Sequence, residues 1–364
     1  MSSENTPASA SAAPPSIPNP KSKIQNPKSP SSLRSLAAQH GLHIGAAVSE
    51  HALREDPAYR EILAREFNMI TCENALKWGP LRPTRDQFAF ENADLIVDFA
   101  EANDMVLRGH TLVWHNMLPA WLSEQRLGND DAHDLVREHI QTVMRRYRGR
   151  IAVWDVVNEA IEDDGIRDSF FLHALGPDYL ATVFHWAHEA DPDARLFYND
   201  YEADAINAKS DAIYALIKDL LQRGVPIHGV GLQMHLCLWA PPKAKSVAKN
   251  IRRFNDLGLE VHITEMDVRM KEPATEENLR AQARIYRDMI EVCLDAAQCT
   301  ALVTWGVTDR YSWVPDAFQG EGAALLFDND GLPKPAYHAL RETLENPPKK
   351  SKTTAKRPWP RLFK

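Results

Sequence analysis

Short apolar runs alternate with amphipathic stretches through the middle of this 364-residue chain. Eight runs are rich in apolar and β-branched residues, as strands are, and they span residues 42–48, 67–72, 105–110, 151–157, 195–199, 229–233, 259–264 and 301–305. Between them, residues 93–102, 133–147, 209–221 and 276–294 repeat apolar positions with the helical period. Strands that alternate with helices pair in parallel, and eight such units in about 300 residues fit a barrel. The pattern therefore predicts the α/β class and a (β/α)8 TIM barrel. The alternative, a doubly wound open sheet, is weakened because no glycine-rich loop follows the first run.

The composition of the two ends predicts a single folded domain between disordered tails. Residues 1–36 are dominated by Ser, Pro, Ala and Asn without apolar periodicity, and residues 346–364 carry seven Lys or Arg and no acid. The barrel is expected to occupy residues 37–345. The net charge of −8 divides into +3 and +7 on the tails and −18 on the middle. An acidic body argues against a nucleic-acid partner, and the basic tail is predicted to be a solvated, flexible end.

The chain shows no basic segment followed by a signal-like apolar stretch, and no run of transmembrane length. We therefore expect a cytoplasmic protein without a membrane partner, with export by an unusual route or a different start codon as the alternatives. Cys72 and Cys237 lie in apolar, strand-like contexts typical of free buried thiols. Cys293 and Cys299 could close a small loop in an oxidising compartment, whereas in the cytoplasm we expect them to be reduced.

Polar side chains follow seven of the eight predicted strands. In a barrel the chemistry lies at the carboxyl ends of the strands, and capping alone does not explain seven such ends. Glu159 and Glu265 end the fourth and seventh runs, and two carboxylates that face each other across a cleft can cut a glycosidic bond. The other polar residues at these ends include Glu73, Asn74, Lys77, His110, Trp114, Asn158, Tyr201, Gln233, His235, Asp267, Trp305 and Trp313.

Five segments resemble, in order, the signature motifs of the family 10 glycoside hydrolases, the (β/α)8 endo-1,4-β-xylanases. The resemblance covers about residues 41–341 and neither tail. The segments are Glu73-Asn74-Ala75-Leu76-Lys77-Trp78, Arg108-Gly109-His110-Thr111-Leu112-Val113-Trp114-His115, Trp154-Asp155-Val156-Val157-Asn158-Glu159-Ala160, Ile263-Thr264-Glu265-Met266-Asp267, and Thr304-Trp305-Gly306-Val307-Thr308-Asp309 with Ser312-Trp313. The resemblance implies a retaining xylanase that acts on xylan or xylo-oligosaccharides and needs no metal or other cofactor. We expect it to be a monomer.

The resemblance also implies roles for the residues at the strand ends. Glu159 is the general acid/base and Glu265 the nucleophile, which His235 and Asp267 can hold ionised through hydrogen bonds. Asn158 bonds the sugar 2-hydroxyl, which matters most in the transition state. The remaining expected sugar contacts are Lys77, His110 and Gln233 near the cleavage point, Glu73 and Asn74 at the next sugar outward, Trp114, Trp305 and Trp313 against the sugar ring, and Tyr201 on the leaving-group side.

Three other functions compete with this interpretation. A related barrel glycosidase, such as a β-glucanase or an exo-acting xylosidase, would differ mainly in its loops. A non-catalytic xylan-binding protein would lack at least one of the two carboxylates, yet both are present. A metal-dependent hydrolase would need His110, His115 and His235 to converge on one ion with an acid.

Several nearby residues are expected to serve structure or to depart from the family pattern. Asp155, His115 and Trp121 are predicted to be a buried carboxylate, a packing residue and a core residue. Met117 stands where the family usually has a glutamine, so one hydrogen bond to an outer sugar should be missing. Glu202 stands where an asparagine is common, and neither change touches the predicted chemistry.

Overall fold

The fold is given by a computed structural model that describes residues 32–124, 129–163 and 165–348. The strands in these ranges are β1 (His43–Val48), β2 (Met69–Cys72), β3 (Val106–Trp114), β4 (Val153–Asn158), β5 (Ile161–Glu162), β6 (Gly165–Ile166), β7 (Arg195–Asp200), β8 (Gly229–Leu232), β9 (His235–Cys237), β10 (Glu260–Lys271), β11 (Cys299–Thr304) and β12 (Glu321–Gly322). The α-helices are α1 (Leu33–Gln39), α2 (Glu50–Glu55), α3 (Pro57–Glu66), α4 (Trp78–Leu81), α5 (Glu91–Ala102), α6 (Ala120–Glu124), α7 (Asn129–Arg146), α8 (Phe170–Leu175), α9 (Tyr179–Ala190), α10 (Ala208–Gln222), α11 (Ala244–Asp256), α12 (Glu276–Asp295), α13 (Val314–Ala317) and α14 (Pro335–Glu345).

Eight strands form a closed parallel barrel. Their order is β1-β2-β3-β4-β7-β8-β10-β11, and β11 pairs with β1 to complete the ring. Each strand matches one of the eight apolar runs, so the predicted TIM barrel is confirmed and the open doubly wound sheet is wrong. Beyond the ring, β9 pairs in parallel with the outer part of β10, β12 pairs with its end, and β5 and β6 form a separate hairpin.

The boundaries of three elements differ from the sequence prediction. Helix α1 begins at Leu33, inside the predicted N-terminal tail, where the Leu33 side chain is buried and its backbone N–H donates to Glu66 Oε2 at 3.0 Å. Strand β3 continues past His110 to Trp114, and β10 continues past Thr264 to Lys271. Tertiary pairing lengthens both strands, because each extra residue finds hydrogen-bond partners on a neighbouring strand.

Two glycines in barrel strands leave room for large neighbouring side chains. A Cβ on Gly109 would lie 2.3 Å from the indole of Trp154, and a Cβ on Gly231 would lie 2.1 Å from Oδ1 of Asn199. Both distances are shorter than any real contact, so a larger residue would displace these side chains. Gly231 therefore leaves the space that the Asn199 side chain occupies, and Asn199 lies at the centre of the site described below.

The predicted alternatives for the cysteines are resolved by a disulfide. Cys293, near the end of α12, is bonded to Cys299, the first residue of β11, with the two Cα atoms 5.0 Å apart. Cys72 is a buried free thiol and Cys237 a partly exposed one. Among the described residues, no helix is both long and apolar enough to cross a membrane. Most of the predicted tails, residues 1–31 and 349–364, lies outside the described residues.

Candidate active site

The predicted site residues converge at the carboxyl end of the barrel. Asn158 and Glu159 lie at the end of β4, whereas Glu265 and Asp267 lie in the extended part of β10. Gln233 follows β8, and His235 begins β9. The parallel barrel brings these ends to one rim, because every strand ends on the same face.

Glu265 is almost fully buried, with 5% of its side chain exposed. His235 Nε2 donates to its Oε2 at 3.1 Å, and Asn199 Nδ2 donates to its Oε1 at 2.6 Å. Burial by itself raises the pKa of Glu265, but the hydrogen bond from His235 and the charges of His110 and His235 outweigh it and hold this pKa below the usual value. Glu265 is therefore ionised and fixed in direction, as a nucleophile requires.

His235 carries a positive charge through neutral pH. Burial lowers its pKa, but the carboxylates of Asp267 and Glu265 raise it to about 10. Its Nδ1 donates to Asp267 Oδ2 at 2.8 Å, and the same oxygen accepts from Trp313 Nε1 at 2.8 Å. The expected hydrogen bond between Asp267 and Glu265 is absent. Asp267 bonds His235, and His235 bonds Glu265. Asp267 thus orients the imidazolium, and Trp313 orients Asp267.

Glu159 has a more open and less charged environment than Glu265, with 14% of its side chain exposed. Trp114 Nε1 donates to its Oε2 at 2.8 Å. Gln233 Nε2 and Asn158 Nδ2 donate to its Oε1 at 3.0 and 3.1 Å. All three donors are neutral N–H groups, so no cation bonds this carboxyl group directly. The three bonds fix the orientation of the Glu159 carboxyl group.

The backbone of Glu159 is left-handed, with φ +58°. This conformation is unfavourable for a residue with a side chain and persists only where neighbours enforce it. Arg167 does so: its Nε donates to the carbonyl of Glu159 at 2.9 Å, and its backbone N–H donates to Ala160 O at 2.8 Å. The guanidinium also bonds Glu162 and Tyr201, so the β5–β6 hairpin is tied to the backbone of Glu159, which it follows.

Asn199 links the two carboxyl groups and was not among the predicted site residues. Its Nδ2 donates both to Glu265 and to Asn158 Oδ1, at 2.9 Å for the latter, and Thr264 Oγ1 donates to its Oδ1 at 2.7 Å. Gln233 Nε2 lies 3.2 Å from the same Asn158 oxygen and also bonds Glu159. The position of Asn199 at the end of the fifth predicted strand was the available signal.

A second group of predicted residues surrounds the Lys77 ammonium. Its Nζ lies 4.8 Å from the ring centre of Trp114, 5.7 Å from that of Trp305, and donates to Asn74 Oδ1 at 2.9 Å. The rings of His110 and Trp305 are 5.2 Å apart. Burial lowers the pKa of Lys77. Burial also raises the pKa of Glu73 to about 7, although the positive charge of Lys77 acts in the opposite direction. This half of the rim offers aromatic faces beside hydrogen-bonding groups, which suits a sugar.

Tyr201 lies on the opposite side of Glu159. Its hydroxyl accepts from Arg167 Nη2 at 2.9 Å, and the Lys209 ammonium lies 3.2 Å from its ring centre. Lys209 in turn pairs with buried Asp200 at 2.8 Å. These contacts hold the Tyr201 ring just beyond the end of β7, and its role in stacking on a sugar stays a prediction.

Two of the three residues predicted to be structural, Asp155 and Trp121, have structural partners. Asp155 is buried and accepts from Arg108 Nε at 2.9 Å and from His110 Nδ1 at 3.0 Å, which fixes the His110 ring. Trp121 donates to the Arg82 carbonyl at 3.0 Å. His115 lies closer to the chemistry than expected, since its Nδ1 is 3.9 Å from Glu159 Oε2.

The three histidines of the metal alternative do not converge. Nδ1 of His110 bonds Asp155, and both ring nitrogens of His235 bond carboxylates. Across residues 32–124, 129–163 and 165–348, no group of three or more His, Cys, Asp or Glu side chains is arranged to hold a metal ion.

A barrel whose rim carries two glutamates, one buried beside an imidazolium and one partly exposed among neutral donors, is the scaffold of a retaining glycoside hydrolase. The family model for glycosyl hydrolase family 10 matches residues 32–343, and the chain belongs to this family. The resemblance stated from the motifs is therefore confirmed.

Individual relatives agree with this assignment. The chain is 44% identical to endo-1,4-beta-xylanase B of Thermotoga neapolitana over 86% of this chain and 91% of that protein. It is similar to the crystal structure of xylanase 10B from Thermotoga petrophila in complex with xylobiose, with a TM-score of 0.84 and 43% identity over 86% of this chain and 97% of that one. The intracellular xylanase TsXylA of Thermoanaerobacterium saccharolyticum gives a TM-score of 0.79 and 37% identity over 85% and 98% of the two chains.

Proposed function

We propose that the chain is a retaining endo-1,4-β-xylanase in which Glu265 is the nucleophile and Glu159 the general acid/base. The observation that carries the proposal is the contrast between the two carboxyl groups: Glu265 bonds an imidazolium, whereas Glu159 bonds only neutral donors. Two carboxylates in one site disfavour double ionisation, so a single proton is shared between them. The charge of His235 places that proton on Glu159.

In the first step, a carboxylate oxygen of Glu265 attacks the anomeric carbon of the bound sugar. The glycosidic C–O bond breaks, and the proton of Glu159 moves to the leaving oxygen. A covalent glycosyl-enzyme with inverted configuration results. Asn158, held by Asn199 and Gln233, is positioned to bond the 2-hydroxyl as charge develops at the anomeric carbon.

In the second step, Glu159 is ionised and takes a proton from water. The oxygen of that water bonds the anomeric carbon, and the bond to Glu265 breaks, so that Glu265 leaves as a carboxylate. The second inversion restores the original configuration. The bonds to Trp114, Asn158 and Gln233 keep the Glu159 carboxyl group in one place while its charge changes twice.

The sugar contacts proposed for this cleft follow from the two halves of the rim. Lys77, Asn74, Trp114 and Trp305 form the half on which the non-reducing part of the chain would bind, and Tyr201 lies on the leaving-group side. The xylobiose complex of the Thermotoga petrophila relative supports a xylo-oligosaccharide ligand.

Product analysis tests the proposal directly. The enzyme is incubated with xylan, xylohexaose and carboxymethylcellulose, and the products are separated by chromatography over time. We expect xylobiose and longer products to appear from the start with xylan and xylohexaose, with little release from carboxymethylcellulose. Steady release of xylose alone would indicate an exo-acting xylosidase, and preferential cleavage of the cellulose derivative a β-glucanase.

The cytoplasmic location and the monomeric state stay predictions. The similarity to the intracellular TsXylA supports the first. The disulfide between Cys293 and Cys299 instead favours an oxidising compartment outside the cytoplasm, because disulfides persist there. Cell fractionation of the source organism and sedimentation of the purified protein would test the two.

A further inference from the structure

The strand that carries the nucleophile extends well beyond the cleft. Strand β10 runs twelve residues, from Glu260 to Lys271. Successive side chains of a strand point to opposite faces, so Asp267, Arg269 and Lys271 share one face of its outer part. At about 3.3 Å per residue, Lys271 lies about 13 Å outward from Asp267. One face of this strand therefore connects the catalytic centre to a point several sugar rings away.

Aromatic rings follow that face outward from the site. Trp313 bonds Asp267, and its ring lies 5.6 Å from that of Phe318. Phe318 stacks on the Arg269 guanidinium at 4.0 Å, and Arg269 in turn lies 5.8 Å from the ring of Trp239. The rings and the guanidinium form one continuous surface, so a chain leaving the cleft on this side can stay in contact with it.

Trp239 is the outermost ring and the most exposed. It is 55% exposed, which is unusual for an indole on a folded protein. The backbone on either side of it is held, because Leu238 N–H donates to Arg269 O at 3.0 Å and Ala240 N–H donates to Cys237 O at 3.3 Å. A rigid, exposed aromatic ring can stack on a pyranose at small entropic cost.

Two cations accompany this ring. The Lys271 ammonium lies 5.5 Å from the ring centre of Trp239, and 69% of its side chain is exposed. Glu321 accepts from both Arg269 Nε and Lys271 Nζ, each at 2.8 Å. Among these three side chains, one carboxylate against two cations leaves one positive charge and free N–H donors beside the indole. The Glu272 carboxylate lies next to Gly322, farther along the same strand end. Binding of a neutral sugar would not require this positive charge.

We propose that Trp239, Arg269 and Lys271 form an outer binding site for a sugar that carries a carboxylate, a uronic acid unit attached to the xylan chain. The indole stacks on the pyranose ring, and the two cations bind the carboxylate in the way that guanidinium and ammonium groups bind anions generally. The inference rests on the proposed xylanase activity, and it adds a preference for acidic polymers.

The test compares one polymer in two chemical forms. Glucuronoxylan and the same polymer with its carboxyl groups reduced to alcohols are hydrolysed by the full chain, and the ratio of kcat/KM for the acidic to the reduced form is the readout. Trp239→Ala should lower this ratio about 5- to 30-fold, and Lys271→Gln about 3- to 10-fold. Added salt should reduce the effect of Lys271→Gln on this ratio, because the Lys271 ammonium is exposed and salt screens its attraction to the carboxylate.

Matched controls separate the site from general surface effects. Lys249→Gln removes an exposed lysine from α11, and Leu332→Ala removes an exposed apolar side chain, and both should leave the ratio unchanged. Trp239→Phe should recover most of it. If Trp239→Ala and Lys271→Gln leave the ratio unchanged, or if the controls lower it equally, the outer site is wrong.

Calorimetry distinguishes failure of this site from failure of the activity. Aldotetraouronic acid, a uronate-bearing xylo-oligosaccharide, is titrated into Glu265→Ala with and without Trp239→Ala. Weaker binding in the double variant supports the site, and equal binding overturns it. Lack of hydrolysis of linear xylohexaose by the wild type would overturn the proposed activity instead.

Discussion

Glu159 follows β4 and Glu265 lies within β10 of the same barrel, but the surroundings of the two carboxyl groups differ in charge. Glu265 is nearly buried and bonds an imidazolium that Asp267 and Trp313 hold in place. Glu159 is more exposed and bonds an indole and two amides. His115 Nδ1 lies 3.9 Å from Glu159 Oε2, and burial lowers the pKa of His115.

This difference explains how two identical side chains take opposite roles. In the proposed mechanism, the imidazolium keeps Glu265 ionised, and the neutral donors hold the Glu159 carboxyl group in place while it gives and takes the proton. Asn199 and Asn158 connect the two, so the same network that orients the nucleophile orients the group that bonds the sugar. The proposed roles therefore differ because the hydrogen-bond partners of the two glutamates differ.

The largest effect is expected from removing the nucleophile. Glu265→Ala should lower kcat on xylohexaose on the order of 10⁴- to 10⁶-fold, while calorimetry still detects xylohexaose binding. With an activated aryl xyloside and azide, this variant should release the α-glycosyl azide, because azide attacks from the face that Glu265 occupied. Wild-type activity, or a β-glycosyl azide, would mean that Glu265 is not the nucleophile.

Removing the acid should separate substrates by their leaving groups. Glu159→Ala should lower hydrolysis of xylohexaose about 10²- to 10⁴-fold. Glycosyl-enzyme formation from a dinitrophenyl xylobioside should fall far less, because that leaving group needs no proton. Azide should now give the β-glycosyl azide, the opposite of the Glu265 variant. Equal losses with both substrates in stopped-flow measurements would contradict the acid role.

Removing the cation tests the cause of the contrast. In His235→Gln the pKa of Glu265 should rise, because the positive charge that lowers it is lost. Since Glu265 must be ionised to react, the acid-side loss of kcat/KM should move to higher pH by the same amount. His338→Gln, an exposed histidine on α14, is the control and should leave the profile in place. An unmoved acid limb in His235→Gln would show that another group holds Glu265 ionised.

The same histidine has a consequence for stability. The His235 pKa is raised from 6.5 to about 10, so its charged pairs stabilise the fold fully below pH 6.5. That stabilisation is lost as the pH rises through about 10. The difference in Tm between the wild type and His235→Gln should therefore shrink between pH 6.5 and 10. A difference that stayed constant with pH would show that packing, not charge, is responsible.

The smallest effect should come from a change that alters sugar binding but neither carboxyl group. Met117 lies beyond β3, where its carbonyl accepts from Gly79 N–H at 2.8 Å and its side chain is partly exposed. Met117→Gln adds a donor and should lower KM for xylohexaose about 2- to 10-fold, the effect of one hydrogen bond, with kcat unchanged. Met117→Leu serves as the control of similar size, and a change in kcat would tie this position to the chemistry.

The sequence by itself determined the barrel and most of its rim. Eight apolar runs predict eight strands because a strand buried on both faces needs continuous apolar residues. The polar residues that follow them predict one site, because all strands of a parallel barrel end on the same face. Trp114, His235 and Gln233 were found in this way, before any contact was known.

Only the tertiary structure decided which partner each side chain meets. Asn199 bonds Glu265 from 66 residues away, Arg167 holds the left-handed backbone of Glu159, and Asp267 acts through His235. The extension of β10 and the early start of α1 likewise depend on neighbours distant in the chain. Apolar periodicity records which positions are buried, but hydrogen bonds between distant residues depend on the closed barrel, and these bonds orient both glutamates and hold Glu265 ionised.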